Sequence, residues 1–92
     1  MGWKTEFIPA ATKDLKKLDK QVQKQIVNYM KELLNLPDPL VNARKLTNSE
    51  FYRFRCGDYR ILCLIEDEEL IILVILISHR KKVYGELDRR AK

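Results

Sequence analysis

The stretch FYRFRCGDYRIL, at residues 51–62, decides the fold that we expect for this chain of 92 residues. Gly57 and Asp58 lie between two runs rich in aromatic and branched side chains, a composition typical of a two-residue turn between antiparallel strands. With that turn in place, Arg55 lies directly opposite Arg60 on the neighbouring strand. The stretch therefore predicts a β-hairpin that carries a pair of facing arginines.

Side chains alternate between the two faces of a strand, so the predicted hairpin has a basic and an apolar face. The basic face carries Arg53, Arg55 and Arg60. The apolar face carries Tyr52, Phe54, Tyr59 and Ile61. Like charges directly opposite each other disfavour a sheet, which indicates an anion bound between the arginines. The alternative is that these arginines only keep an exposed surface soluble or pair with nearby carboxylates, and the hairpin pattern allows both.

The length and composition predict one small globular domain over residues 1–92. Hydrophobic residues make up 46% of the chain and charged residues 34%, as in an ordinary folded protein. The formal net charge of +5 attracts polyanions such as nucleic acid or an acidic protein. We see no signal-peptide pattern and no apolar run long enough to span a membrane, and Cys56 and Cys63 lie too far apart in the hairpin for a disulfide. We therefore expect a cytoplasmic protein without a membrane partner.

The pattern along the whole chain predicts an α+β fold in the order N-terminal strand, helical hairpin and three-stranded antiparallel meander. The expected elements are a strand over 3–8, a short and a longer helix between 10 and 36, and strands over 51–56, 59–66 and 69–78. We expect Asp19 to cap the second helix, and Pro37 and Pro39 to end it. Residues 42–50 read as a polar connection, and Gly85 argues against a helix near the C-terminus. The helices then pack on one face of the sheet, and the arginines lie on the other.

The second and third strands of the predicted meander are joined by an acidic turn at residues 66–69. The pairing of the strands on either side of this turn determines which residues of the last strand lie on the basic face. If Ile65 pairs with Leu70, Arg60 lies beside the odd-numbered residues of that strand. His79 then extends the basic face. Arg80 points to the opposite face, so a bend or bulge is needed to aim it at the other arginines.

The residues argue against several kinds of site. One histidine and two cysteines do not match a metal-binding pattern, and the three glycines form no phosphate-binding loop, so we expect no metal and no small-molecule cofactor. Arginine with aromatic neighbours remains, and these groups suit phosphate oxygens and stacked bases of single-stranded RNA. They also suit a phosphorane-like transition state. The acid and the base for RNA cleavage would come from His79, Tyr84 or an arginine.

Three motifs together resemble the RelE group of the RelE/ParE toxin superfamily. They are YRFR at residues 52–55, GDYRI at 57–61 and HRKKVY at 79–84, and KDLKKL at 13–18 also resembles the first helix of that family. The resemblance implies a RelE-like fold and a toxin of a type II toxin-antitoxin system. RelE-like members cut messenger RNA in the ribosomal A site without a metal, by attack of the 2'-hydroxyl on the adjacent phosphate. The implied partners are a RelB-like antitoxin, the ribosome and messenger RNA.

The same resemblance implies a role for each basic or aromatic position. Arg53 and Arg55 fall on family positions that contact RNA and assist proton removal, Arg60 on the arginine that stabilises the phosphate, Arg80 on the arginine that supports the transition state and leaving group, and Tyr84 on the tyrosine that stacks on a base. We therefore assign Arg55, Arg60, Arg80 and Tyr84 as catalytic residues, and Arg53, His79, Lys81 and Lys82 as RNA-binding residues.

The sequence leaves the general base and the exact activity open. Known family members carry lysine where this chain has Arg53 and Arg55, and arginine is a poor general base, so His79 is one hypothesis for that role. A ParE-like toxin that inhibits DNA gyrase is an alternative within the superfamily. A non-catalytic basic module that only binds RNA is an alternative outside it.

Overall fold

The computed structural model describes residues 2–90 and confirms the predicted α+β fold. Its elements are β1 (Lys4–Phe7), α1 (Pro9–Lys16), α2 (Lys20–Leu34), β2 (Arg44–Lys45), β3 (Tyr52–Cys56), β4 (Tyr59–Glu66), β5 (Ile71–His79) and α3 (Val83–Arg90). Within the described range the strands form a five-stranded sheet in the order β1-β5-β4-β3-β2. β1 runs parallel to β5, and the other neighbouring strands of this sheet are antiparallel.

The helical hairpin of α1 and α2 covers one face of the sheet. Asp19 caps α2 as predicted, because its carboxylate accepts a hydrogen bond from the Gln21 N–H at 3.3 Å. The core beneath consists of Ala11, Ile26, Met30, Leu33, Phe54, Cys56, Ile61, Cys63, Ile72, Val74 and Ile77. Burying a large apolar side chain of this kind contributes about 1.5–3 kcal/mol. Both cysteines are buried and free.

The hairpin between β3 and β4 has the predicted register, with Arg55 opposite Arg60. Of its two turn residues only Gly57 has a positive φ, at 59°. That combination is typical of a type II′ turn, in which glycine at the first position avoids the clash that a Cβ would cause. The turn therefore aligns the two arginine-bearing strands.

The register between β4 and β5 differs from the prediction. Arg60 pairs with Ser78, three residues beyond Ile75. The turn between β4 and β5 lies one position further along the chain than predicted, so that Glu66 pairs with Ile71. Moving the turn by one position changes every pairing by two residues, which accounts for two of the three. A shift of two preserves the face of every side chain, so the turn alone does not change the predicted basic face.

A β-bulge in β5 adds the third residue of the shift and does change the face. Leu62 pairs with Leu76 while Cys63 pairs with Val74, so Ile75 is an extra residue in β5. Because side chains alternate, one extra residue moves all later side chains of β5 to the opposite face. The even-numbered end of β5 therefore joins the arginines.

Residues 42–50 contain a strand that the sequence did not predict. β2 consists of Arg44 and Lys45 and pairs with Tyr52 and Arg53 of β3. Two residues are too few to show a periodic pattern, so the sequence predicted a polar connection in place of β2. It forms the edge of the sheet next to the arginine-bearing strands.

The prediction against a C-terminal helix was wrong. α3 includes Gly85, where a glycine costs only about 1 kcal/mol relative to alanine. Packing of the helix on the arginine-bearing face offsets this cost, because Val83 is buried there with Leu62 and Leu76 in a second small core. Leu46 and Leu87 pack against that core. No helix within residues 2–90 has the length and apolar character to cross a membrane.

Candidate functional site

Four arginines and one tyrosine, which we call the arginine cluster, lie together on the sheet face opposite α1 and α2. Its members are Arg53 and Arg55 from β3, Arg60 from β4, Arg80 just after β5 and Tyr84 from the first turn of α3. Strand alternation places the first three, and the bulge in β5 places the fourth. The fifth depends on the packing of α3.

Arg60 is the buried centre of the cluster, with 8% of its surface exposed. Its Nη1 donates hydrogen bonds to the Gly57 carbonyl at 2.9 Å and to the Tyr59 carbonyl at 3.0 Å, so the turn holds the guanidinium in place. Burial lowers the pKa of Arg60, and the positive charges of Arg55, Arg53 and Arg80 lower the pKa further. Guanidinium nevertheless stays charged in proteins, so the cluster concentrates positive charge that an anion would neutralise.

Arg53 and Tyr84 connect the sheet to α3. The Arg53 Nη1 donates a hydrogen bond to the Tyr84 hydroxyl at 3.0 Å. Tyr84 as a whole is 46% exposed, so part of the residue is open to a ligand. The Arg53 Nε is buried and has no hydrogen-bond partner. A buried donor without a partner is uncommon in folded proteins.

Arg80 lies at the open side of the cluster. Its backbone N–H donates to the Asp58 carbonyl at 2.8 Å, and its Nε lies 3.5 Å from the Asp58 carboxylate. Both side chains are at least half exposed, and such surface pairs contribute little to stability. The Arg80 side chain can therefore leave Asp58 for a phosphate. The bulge in β5 is the irregularity that we expected to be needed to aim Arg80 at the other arginines.

His79 does not belong to the arginine cluster, so the prediction that it extends the basic face was wrong. It pairs with Tyr59, and the two rings contact edge to face with centroids 5.6 Å apart. Its Nδ1 accepts a hydrogen bond from the Lys81 N–H at 3.2 Å. The bulge is the physical reason, because it turns His79 toward the side of α1 and α2. His79, Lys81 and Lys82 instead line a separate hollow, and their assignment to RNA binding stays a prediction.

The comparison with protein families identifies the chain. Residues 6–84 match the family described as ParE toxin of type II toxin-antitoxin system, parDE. The chain belongs to this family. The predicted membership of the RelE/ParE toxin superfamily is thereby confirmed.

Relatives of this toxin within the superfamily carry RelE names. It is 28% identical over 95 residues to the mRNA interferase toxin RelE of Escherichia coli strain K12, covering 98% of both chains. It resembles one chain of the RelBE2 toxin-antitoxin complex of Mycobacterium tuberculosis with a TM-score of 0.78 at 26% identity. The match covers 87% of this toxin and 93% of that chain. A free-state mutant of E. coli RelE matches with a TM-score of 0.71 at 27% identity, over 98% of each chain.

Sequence reasoning missed a cleft beside the arginine cluster of this toxin. The cleft, of about 600 Å³, lies between segment 44–51 and α3. Its lining consists of Arg44, Lys45, Leu46, Thr47, Asn48, Ser49, Phe51, Arg53, Tyr84, Leu87 and Asp88. In the sequence, the one indication of this cleft was the basic pair Arg44 and Lys45 within the polar segment 42–50. Within residues 2–90 no three or more histidine, cysteine or acidic side chains gather as metal ligands.

Proposed function

We propose that this toxin is a ribosome-dependent endoribonuclease that acts in the cytoplasm as a single domain. The observation that carries the proposal is the arginine cluster, which combines four permanent positive charges with a half-exposed tyrosine. The similarity to an mRNA interferase named RelE, at 28% identity, supports the same reaction class. The proposed reaction is attack of a ribose 2'-hydroxyl on the adjacent phosphate of messenger RNA in the A site, without a metal.

The buried and the exposed arginine have different roles in this reaction. Arg60 is held by two carbonyls, so it forms a preorganised contact for an equatorial phosphate oxygen. Arg80 is more exposed and neutralises charge on the phosphate and the leaving 5'-oxygen. Arg55 adds charge from the opposite strand. Tyr84 stacks on a base and orients it, with its hydroxyl held by Arg53.

Primer extension on a defined messenger in a purified translation reaction tests the proposal. We expect cuts at A-site codons that require both the toxin and ribosomes. Arg80→Ala should reduce cutting by about a hundredfold or more, because one preorganised charge contact is lost in the transition state. Arg89→Ala is the matched control, since Arg89 is an exposed arginine on α3 outside the cluster, and it should cut normally. Full cleavage by the Arg80→Ala variant would refute the assigned site.

We also propose that an antitoxin neutralises this toxin by covering its basic surface. The support is the family itself and the similarity to chains solved in toxin-antitoxin complexes. The net charge of +5 favours an acidic, RelB-like partner. Co-expression with the product of the neighbouring gene should yield a stable complex in size-exclusion chromatography, and the complex should not cut messenger RNA. Separate elution of the two proteins would argue against this partner.

A second candidate function is inhibition of DNA gyrase, because the matching family is described as ParE toxin. A plasmid supercoiling assay with purified gyrase separates the two activities. Inhibited supercoiling together with intact messenger RNA would replace the endoribonuclease proposal. Binding to RNA with neither cleavage nor gyrase inhibition would indicate the non-catalytic RNA-binding module.

A further inference from the structure

The turn between β3 and β4 holds two arginines of the cluster by different chemical groups. The main-chain carbonyls of Gly57 and Tyr59 accept hydrogen bonds from Arg60 at 2.9 and 3.0 Å. Asp58, the residue between them, holds Arg80 through its carbonyl at 2.8 Å and has its carboxylate 3.5 Å from the Arg80 Nε. A carbonyl is neutral, whereas a carboxylate offsets the charge of its partner. The turn therefore leaves the full charge of Arg60 to a ligand but not that of Arg80.

Arg80 differs in this respect from the rest of the arginine cluster. Among residues 2–90, no carboxylate forms an ion pair with Arg53, Arg55 or Arg60. Asp58 is thus the one acidic side chain in that range that pairs with the cluster. It pairs with the arginine at the open side, where an RNA phosphate enters.

The geometry of the pair between Asp58 and Arg80 favours its exchange for a phosphate. Its distance of 3.5 Å exceeds the value of about 2.7–2.9 Å that is typical of a strong hydrogen bond between charged groups. The two side chains are 70% and 51% exposed, so water weakens their attraction. A phosphate can accept two parallel hydrogen bonds from the guanidinium and is attracted by the other arginines as well. A phosphate therefore competes well with the carboxylate for Arg80.

The main-chain hydrogen bond between the same two residues confines this exchange to side chains. The Arg80 N–H remains bound to the Asp58 carbonyl whichever anion the guanidinium contacts. Rotation of the Arg80 side chain is then sufficient for the exchange, without a movement of β5 or of the turn.

We propose that Asp58 is an internal substitute for the RNA phosphate, which holds Arg80 in the free toxin and lowers the affinity of the cluster for RNA. The proposal rests on the endoribonuclease function and adds a residue that regulates how tightly its substrate binds. Asp58 acts through Arg80, so it is a positioning residue. Because the ion pair has to break before Arg80 contacts RNA, its strength is subtracted from the binding free energy. Exposed pairs are weak, so we expect Asp58 to raise the Kd by about threefold.

Binding of a 2'-O-methylated RNA tetranucleotide tests the proposal without relying on cleavage, because methylation blocks the attacking hydroxyl. Asp58→Asn removes the charge and keeps the turn, since asparagine after glycine also suits this hairpin turn. We expect this variant to bind the RNA about threefold more tightly than wild type. In an Arg80→Ala background the same substitution should leave the affinity nearly unchanged, because the pair is already absent.

Two further variants control this double-mutant cycle. Asp67→Asn removes a carboxylate from the exposed turn at the other end of β4 and should bind like wild type, because salt screens distant charges. Asp58→Ser, which also suits the turn, should bind as tightly as Asp58→Asn. Thermal unfolding checks that both variants at this position keep the fold.

Several outcomes would overturn the role of Asp58. Equal or weaker binding by the folded Asp58→Asn and Asp58→Ser variants would do so, and weaker binding would mean that Asp58 also holds Arg80 in the complex. An equal gain in the wild-type and Arg80→Ala backgrounds would reduce the effect to overall charge and also reject the proposal, as would absence of RNA binding. Failure of the endoribonuclease function appears in a different assay, as absence of ribosome-dependent cuts, and leaves the binding result interpretable.

Discussion

At the residue scale, Asp14 and Arg90 join α1 to α3 across an open edge of the sheet. β1 ends at Phe7, so the later part of β5 lacks a neighbouring strand on that side. Arg90 donates a hydrogen bond to the Ile75 carbonyl at 2.9 Å, and Asp14 accepts one from the Ile77 N–H at 3.1 Å. The two side chains also form a bidentate ion pair. Together they replace the missing strand and hold the helix that carries the site tyrosine.

Asp14→Ala should therefore destabilise the protein by about 2–3 kcal/mol. The substitution leaves the Ile77 N–H without a partner and removes the counter-ion of the Arg90 guanidinium, which keeps only its hydrogen bond to the Ile75 carbonyl, and unsatisfied buried groups are costly. Partial exposure of Arg90 keeps the loss below that of a fully buried pair. Urea unfolding measures the change, with Asp67→Ala in an exposed turn as the control. Equal midpoints for Asp14→Ala and wild type would contradict the structural role of the pair.

Cys63 makes stability depend on pH in the alkaline range. Burial raises the pKa of its thiol, so the thiol keeps its proton in the folded protein after it has lost it in the unfolded chain. The unfolded state then binds fewer protons, and the free energy of unfolding falls as pH rises above about 8.5. We expect this group to contribute a slope of about 1.4 kcal/mol per pH unit between about pH 9.5 and 10.5.

Urea unfolding of wild type and Cys63→Ala across this pH range separates the contribution of the thiol. The variant should be less stable at neutral pH because it leaves a cavity, but its stability should decline less steeply with pH. Burial also raises the pKa of Cys56 and of Tyr29, so a smaller slope should remain in the variant. Parallel slopes for the two proteins would show that Cys63 ionises normally in the folded state.

At the element scale, two glycines have opposite structural roles. Gly85 lies within α3, and a Cβ added there would meet no atom within 4 Å apart from its chain neighbours and the nearby backbone of its own helix. Gly57 lies in the turn between β3 and β4 at φ of 59°, and its Cβ would come within 3.0 Å of the Gln25 amide. The helix therefore tolerates a side chain at its glycine, whereas the hairpin does not.

Gly85→Ala should stabilise the protein by about 0.5–1 kcal/mol, because alanine has the higher helix propensity and loses less backbone entropy on folding. Gly57→Ala should destabilise it by about 1 kcal/mol or more, because its φ is unfavourable for alanine. Thermal unfolding of both variants checks the two signs. Because Gly85→Ala leaves the cluster intact, its RNA cleavage should match wild type, and a loss of stability would mean that α3 is not helical at this position.

At the scale of the whole molecule, the protein presents positive charge on opposite sides. The sheet side carries the arginine cluster, and the outer surface of α1 and α2 carries exposed lysines. The latter are Lys13, Lys16, Lys20, Lys24 and Lys31. Such a molecule attracts RNA at long range, and the attraction weakens with salt.

The affinity for a 2'-O-methylated RNA tetranucleotide, which cannot be cut and has three phosphates, should fall with salt at a logarithmic slope of about −2, as three phosphate contacts to a single strand predict. Arg80→Ala should reduce the magnitude of that slope by about 0.7, whereas Arg89→Ala should leave it unchanged, because only Arg80 belongs to the cluster. Fluorescence anisotropy titrations between about 50 and 300 mM salt, over which the Debye length falls from about 14 to about 6 Å, measure both effects. A slope near zero would mean that the arginines do not contact phosphates.

Much of this architecture follows from local patterns in the sequence. The helical hairpin follows from the apolar spacing of its helices and the Asp19 cap. The β3–β4 hairpin follows from Gly57, because turn chemistry and strand alternation together define which side chains face each other. Arg53, Arg55 and Arg60 were therefore placed on one face correctly. These features depend on residues that are close in the chain, where propensity and periodicity are informative.

Only the tertiary structure decided the rest of the site. The bulge at Ile75 exchanged His79 for Arg80 on the arginine face, because one extra residue inverts the alternation and no local signal marks it. α3 is stabilised because Val83 and Leu87 pack against Leu62 and Leu76 on the sheet. That packing brought Tyr84 to Arg53, 31 positions away in the chain. Sequence by itself thus determined the helical hairpin, the longer strands and the basic β-hairpin, while contacts between distant segments, whose energies outweigh local preferences, determined α3, the completed cluster and its cleft.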